Sequence, residues 1–402
     1  MPASRNIPAR GFVALAIMVA LLNSTASSPL YAVYRELWSL DTFTISAVFA
    51  TYAGGTLLAL LVLGRLSDRL PDRRIVICGA LLLVIAGSLV FGTASDLEHL
   101  FLGRFLAGAG TGGVAGTASA ALLELDPKLD ARRSATLATS VFTLACALGP
   151  VITSACLALD LDPLRLPFLI VAGLSLVALV GLVTVPFPAR RSAGSPAIAA
   201  TAADGSAPPP RIAGFAIAAA AVFIAWAVGS CFAALGPSFV RDLLGARSVA
   251  TAGLIVTVFQ FVGGISQMGF GSVASPKALV IGSAIVAAAM ALCALAIELA
   301  APALFVAGTV LVGIGYGAAF VGAAGVVNRV APPDRRATYV SAFYVTAYLS
   351  NSLPVLLLGR LSDMIGLANA FVALTGFAVV AVLVLLPAAH AVLKPFARRP
   401  AM

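Results

Sequence analysis

The hexapeptide GAGTGG at residues 108–113 spells the G-x-G-x-x-G of a dinucleotide-binding loop. That chemistry needs a strand before the glycines and a helix opening after them, so that backbone N–H groups meet a pyrophosphate. Here the glycines lie inside a long apolar stretch, and Gly108, Gly112 and Gly116 recur every four residues. Small residues at that spacing let helix backbones approach closely, so packing is the expected role. The five cysteines, Cys78, Cys146, Cys156, Cys231 and Cys293, sit in apolar stretches without C-x-x-C spacing, and the only histidines are His99 and His390. Neither a metal centre, a disulfide framework nor a nucleophile set can be assembled from these residues, and no cofactor or enzyme activity is expected.

Polar side chains embedded in apolar surroundings carry more information. Asn23, Ser27, Tyr31 and Tyr34 fall within a sector of about 80° on one helix face. Similar stripes are Thr136, Ser140 and Thr143, then Gln260, Gly264 and Gln267, and Ser341, Tyr344, Tyr348 and Asn351. Trp226 and Ser230 share a face, and Tyr316 interrupts a run of glycines. Ser and Thr can satisfy their own helix and Tyr can anchor an interface, but an amide turned to lipid is costly. Asn23, Gln260, Gln267 and Asn351 are therefore expected to face the protein interior or water.

The elements holding these residues follow from composition: 61% of the 402 residues are hydrophobic and 10% charged. Twelve apolar stretches, each long enough to cross a bilayer as a helix, lie near 11–34, 44–65, 75–95, 99–123, 134–158, 166–187, 212–236, 249–271, 277–298, 302–327, 338–359 and 366–388. An all-α membrane protein with 12 transmembrane helices is expected. The first stretch also resembles a secretory signal peptide, since Arg5 and Arg10 precede it and NSTASS follows; cleavage there would leave eleven spans. With both termini cytoplasmic, every Lys and Arg falls on the cytoplasmic side except Arg35, Arg104, Arg165, Arg241, Arg247 and Arg360. The net charge of +9 is thus a topology signal rather than a nucleic-acid signal.

Residues 188–211 are rich in Ala, Pro, Gly and Ser and read as a cytoplasmic linker between residues 1–187 and 212–402. The two parts echo each other. PLYAVYRE at 29–36 loosely matches PSFVRD at 237–242, AGG at 53–55 matches VGG at 262–264, and AGAGTG at 107–112 matches VGIGYG at 312–317. These and further matches share offsets between 202 and 209. Two duplicated, pseudo-symmetric six-helix bundles with a site near the midplane are the architecture of secondary transporters.

On these residues the chain resembles the major facilitator superfamily over essentially its whole length. The family signature G-x-x-x-D-R-x-G-R-R between spans 2 and 3 is met by Gly64, Asp68 and Arg69 in GRLSDRLPDRR, with Arg73 and Arg74 supplying the later charge and Pro71 and Asp72 departing from it. Arg104, Gly108 and Gly110 match a second signature in span 4. A third, found in drug:proton antiporters, survives in span 5 as ACALGPVITS, keeping Gly149 and Pro150 but replacing the outer glycines by Ala145, Thr153 and Ser154.

The resemblance implies a monomeric carrier in the inner membrane, whose spans 1, 4, 7 and 10 line a cavity between the halves. Substrate-binding candidates are Asn23, Ser27, Tyr31, Trp226, Ser230, Gln260, Tyr316, Tyr344, Tyr348 and Asn351. Aromatic faces, hydroxyls and amides suit a neutral or amphipathic organic molecule. Proton-coupled efflux is the expected activity, import of a sugar or organic acid the alternative, and a non-transporting receptor or scaffold a third reading. The proton gradient is the expected energy source. Arg104 is expected to pair with Glu36 or Asp41 just beyond span 1, or to snorkel outward; Glu124 is the other coupling candidate.

GRLSD at 64–68 recurs at 359–363, but not at the half-repeat offset. In the family the signature Asp, here Asp68, faces the start of span 11, where unpaired N–H groups favour a carboxylate and close the inner side. Turned over, the same geometry expects Asp363 near the start of span 2, around Thr42 to Ser46, as an outer latch. Otherwise Asp363 is a solvated charge beside Arg360.

Overall fold

The structure is a computed structural model that describes residues 6–70, 72–126, 129–185, 187, 211–246, 248–332 and 335–393. The linker at 188–210 and the side chains of Gly64, Asp68 and Arg69 lie outside the described residues. Among the described residues there are thirteen α-helices and no strands: α1 (Asn6–Ala26), α2 (Leu30–Leu37), α3 (Thr42–Arg69), α4 (Arg73–Gly92), α5 (Leu97–Glu124), α6 (Ala131–Leu159), α7 (Leu166–Thr184), α8 (Arg211–Ser238), α9 (Val249–Phe270), α10 (Ser275–Glu298), α11 (Pro302–Val330), α12 (Arg336–Ile365) and α13 (Leu367–Leu393). They supply twelve helices long and apolar enough to span a membrane, because α1 and α2 form one span, Pro8–Leu37. Leu58, Leu82, Val183, Leu357 and Val384 are exposed on these helices, as lipid-facing side chains are.

The helices start where sequence chemistry dictates. Asp72, Asp96 and Asp130 accept backbone N–H bonds from Arg74, His99 and Arg133 and so cap α4, α5 and α6. Pro in the first turn opens α7, α10 and α11, where its missing donor costs nothing. The continuous first span expected from hydropathy is in fact broken at residues 27–29. Pro29 has no N–H to offer Thr25, and the chain tightens there through Ser28 N–H to Thr25 O (3.1 Å). A second irregularity ends span 7, where Phe239–Leu243 forms a π turn after Pro237.

The chain forms two compact units. Unit 1 comprises Met1–Val33, Val48–Ala199 and Val249–Thr257; unit 2 comprises Tyr34–Ala47, Ala200–Ser248 and Val258–Met402. In unit 1, α4 packs on α5 and α7, while α1 packs on α5, α6 and α7. In unit 2, α10 packs on α11 and α13, and α8 packs on α11 and α12.

Glycines set the closest approaches. A Cβ on Gly108 would lie 2.0 Å from Tyr52 O, and one on Gly112 2.6 Å from Thr56 O. At the equivalent places in unit 2, a Cβ on Gly313 would lie 3.0 Å from Phe259 O and one on Gly317 2.2 Å from Gly263 O. Gly116, by contrast, meets only Leu60 at an ordinary 3.8 Å. On α6, Gly149 meets α1, where a Cβ would lie 2.1 Å from Thr25 Oγ1, and Pro150 follows inside the same helix.

Candidate functional site

In unit 1 the break in span 1 gathers side chains from spans 4 and 5. Ser24 O has lost its helical partner, because Ser28 N–H turns to Thr25. Arg104 supplies the donor: Nη1 donates to Ser24 O and to Ser27 Oγ, both at 3.0 Å. Ala26 O accepts from Thr153 Oγ1 at 2.7 Å, and Ala20 O from Thr111 Oγ1 at 2.9 Å. Arg104 is 2% exposed. Its guanidinium lies 4.7 Å from the Tyr52 ring centroid and 5.8 Å from those of Tyr31 and Phe49. Three ring faces thus take the place of a carboxylate around the buried cation.

The expected pairing of Arg104 with Glu36 or Asp41 is therefore corrected, and so is its snorkelling outward. Glu36 faces Arg241 (2.8 Å), and Asp41 caps α3 by accepting Thr44 N–H at 2.7 Å. Hydrogen bonds from the Thr44 side chain and backbone hold the Asp41 carboxyl below its ordinary range. Freed carbonyls and aromatic faces lie nearer to Arg104 than either acid. Ser27 and Tyr31 join this buried network, with Ser27 Oγ 3.1 Å from Tyr31 OH. Asn23 turns instead to span 3, its Nδ2 donating to Val84 O at 3.5 Å.

Unit 2 presents a different surface. Half-buried Trp226 lies 5.6 Å from Phe320, 5.6 Å from Tyr348 and 6.5 Å from Tyr316, ring centroid to centroid. Gly229 and Gly263 make room for Tyr316, since a Cβ on either would lie 2.9 or 3.2 Å from its ring. Gln260, Tyr344 and Asn351 are also half-buried. Ser230 donates to Ala227 O of its own helix and is withdrawn from this surface. The charged residues described in unit 2 stay within about two turns of helix ends or in connections, so the middle of its spans is uncharged. An uncharged aromatic face of this kind binds planar or apolar groups by stacking and area burial.

The ends of the spans carry the ions; they are named inner and outer by the orientation that the charge distribution assigns. At the outer end of unit 2, Asp363 accepts Thr42 N–H through Oδ1 and Phe43 N–H through Oδ2, both at 2.9 Å. With Asp41 holding Thr44 N–H, the first three N–H groups of α3 are all taken by carboxylates. A Cβ on Gly359 would lie 2.8 Å from Ser46 Cβ, so the helices touch along the turn behind this contact. Nearby, Arg35 pairs with Asp242 and Arg241 with Glu36. Sequence reasoning missed this second group, although YRE at 34–36 and VRD at 240–242 had already been aligned.

The model of the Major Facilitator Superfamily matches residues 13–353 and 218–401. The chain belongs to that family. Its structural neighbours are carriers too. A bacterial homologue of the human lysosomal transporter Spinster, in an inward-facing and occupied conformation, shares 16% identity and a TM-score of 0.80, over 98% of each chain. A POT family transporter in complex with 5-aminolevulinic acid shares 14% identity and a TM-score of 0.77, over 96% of each. The nucleoside transporter NupG shares 14% identity and a TM-score of 0.74, over 94% of this chain and 99% of its own. No curated protein matches the sequence. At such identities the neighbours share the fold, and with the family match they make this chain a transporter rather than an enzyme.

The later residues of the superfamily signature are partly visible. Buried Arg73 donates from Nε to Glu124 at 3.0 Å, joining the start of span 3 to the end of span 4. Arg74 pairs with Asp72 at 2.7 Å and lies 5.4 Å from the Phe187 ring centroid. Arg10 pairs with fully buried Asp126 at 2.5 Å. Beside these pairs, Asp130, Arg133, Thr136, Leu137 and Ser140 line an open pocket of about 570 Å³.

Proposed function

We propose that this chain exports a small neutral or amphipathic organic molecule across the inner membrane by alternating access, coupled to the proton gradient, with both termini cytoplasmic and the protein acting as a monomer. The observation carrying the reading is the half-buried aromatic face of Trp226, Tyr316, Phe320 and Tyr348 on an uncharged stretch of unit 2. Such a face binds apolar area and leaves little affinity for inorganic ions. Glu124, buried against Arg73, is the candidate to carry the coupled proton. Asp68 closes the inner side in this reading, and Asp363, already holding Thr42 and Phe43, closes the outer.

Uptake of a sugar or organic acid is the second reading, supported by Thr153 and Ser154 in place of signature glycines in span 5. The test is accumulation of a panel of drugs and metabolites in cells with and without the protein, repeated after collapse of the proton gradient. Lower accumulation that a protonophore reverses supports export; higher accumulation supports uptake; no difference across the panel removes both.

A further inference from the structure

The outer ends of spans 1 and 7 carry the same dipeptide type, basic then acidic: Arg35–Glu36 closes α2, and Arg241–Asp242 lies in the π turn after α8. Their offset of 206 falls inside the half-repeat range, so the two dyads are copies of one ancestral element. Both belong to unit 2, although Arg35 and Glu36 come from the first half of the sequence.

The dyads meet head to tail. Arg35 Nη2 binds Asp242 Oδ2, and Arg241 Nη1 lies 2.8 Å from Glu36 Oε1. Arg241 Nε also donates to its neighbour Asp242 Oδ1 at 3.0 Å. The result is a chain of alternating charge, Glu36–Arg241–Asp242–Arg35, in which the basic member of each copy serves the acidic member of the other. A self-complementary contact of this kind is what a two-fold relation between identical elements produces. Each dyad is internally neutral, so either can separate without exposing net charge.

Both copies also sit beyond a proline that interrupts a helix: Pro29 at the break before α2, and Pro237 just before the π turn. The boundary between the units falls inside span 1 at Val33 and Tyr34, between that break and Arg35. The outer turn of span 1 is thereby fastened to span 7, while the rest of span 1 belongs to unit 1.

We propose that the two dyads form a reciprocal charged clasp, inherited from the duplication, that holds the outer ends of spans 1 and 7 together and releases both ion pairs at once when the carrier opens outward. It rests on the alternating-access reading above but on no particular substrate. Its side chains are between 14% and 61% exposed, a setting where single pairs are weak and a linked set is needed to hold a closed state.

Reciprocity gives a test that a single salt bridge lacks. Spin labels at Leu37→Cys and Ser248→Cys, in a chain freed of its native cysteines, report the separation of the two ends by electron-electron resonance in nanodiscs. Swapping one dyad, Arg35→Glu with Glu36→Arg, sets like charges opposite each other in both pairs and should raise the long-distance population about fivefold. Swapping the second as well, Arg241→Asp with Asp242→Arg, restores both pairs and should return the wild-type distribution. If the single swap does not fold, Arg35→Gln with Arg241→Gln, which removes both attractions without repulsion, should give a smaller rise. An unchanged distribution after the single swap, or after the glutamine pair where that is used, overturns the clasp. So does a double swap that fails to restore the wild-type distribution. Normal swap and rescue in a protein that moves nothing would instead overturn the proposed function and leave the clasp standing.

Discussion

Position for position, spans 4 and 10 are built on one plan and filled with different chemistry. At an offset of 205, Gly108, Gly110 and Gly112 correspond to Gly313, Gly315 and Gly317. A Cβ on Gly110 would lie 2.8 Å from Val84 N, and one on Gly315 2.7 Å from Val286 N. The residues between the glycines differ. Arg104 corresponds to Thr309, which bonds only back to Phe305 O of its own helix, and Thr111, bonded to Ala20 O, corresponds to Tyr316 of the aromatic face. Duplication kept the helix contacts and divided the tasks: unit 1 uses a buried cation to hold a broken helix, and unit 2 keeps an uncharged aromatic surface.

The comparison can be broken where it is strongest. Arg104→Ala removes the donor to Ser24 O and Ser27 Oγ and should cut transport by at least about tenfold, because the broken span loses its fixed geometry. Arg104→Lys keeps the charge but not the planar fork, and should recover only part of the flux. Full transport by Arg104→Ala in vesicles would show that the break holds itself.

If the glycine scaffold is common to both units, Gly110→Ala and Gly315→Ala should destabilise by similar amounts, about 1–3 kcal/mol each, since each new Cβ meets backbone that cannot swing away. Thermal unfolding in detergent measures this; an effect in one unit alone would limit the shared plan to sequence. Trp226→Ala should weaken apparent substrate affinity about tenfold, and Trp226→Phe should keep most of it, with both read from the concentration dependence of flux. The smallest effect expected is at Asp363. Asp363→Asn weakens the carboxylate contact with the start of α3 and should shift the population toward outward-open forms several-fold, seen by cysteine labelling from the outside.

The spans were legible because hydropathy alone demands helices in lipid, and the halves because AGAGTG and VGIGYG keep one register. The break in span 1 was not, although Pro29 was visible: proline is tolerated in membrane helices when neighbours satisfy the freed carbonyls, and those neighbours, Arg104 and Thr153, come from other spans. Arg104 was assigned a carboxylate partner because a buried charge calls for compensation; Tyr31, Phe49 and Tyr52 supply it through their faces, which no charge count reveals. Asn23 shared a helical stripe with Ser27 and Tyr31, yet Val84 O draws it toward span 3. Periodicity gives a face of a helix, and only packing decides which neighbour that face meets.

Flux in proteoliposomes under an imposed pH gradient tests the central claim most directly. A neutral or amphipathic substrate from the panel should move saturably, collapse with a protonophore, and lose apparent affinity in Trp226→Ala. Purified, folded protein that shows no saturable flux, or flux indifferent to both the gradient and Trp226, would contradict it.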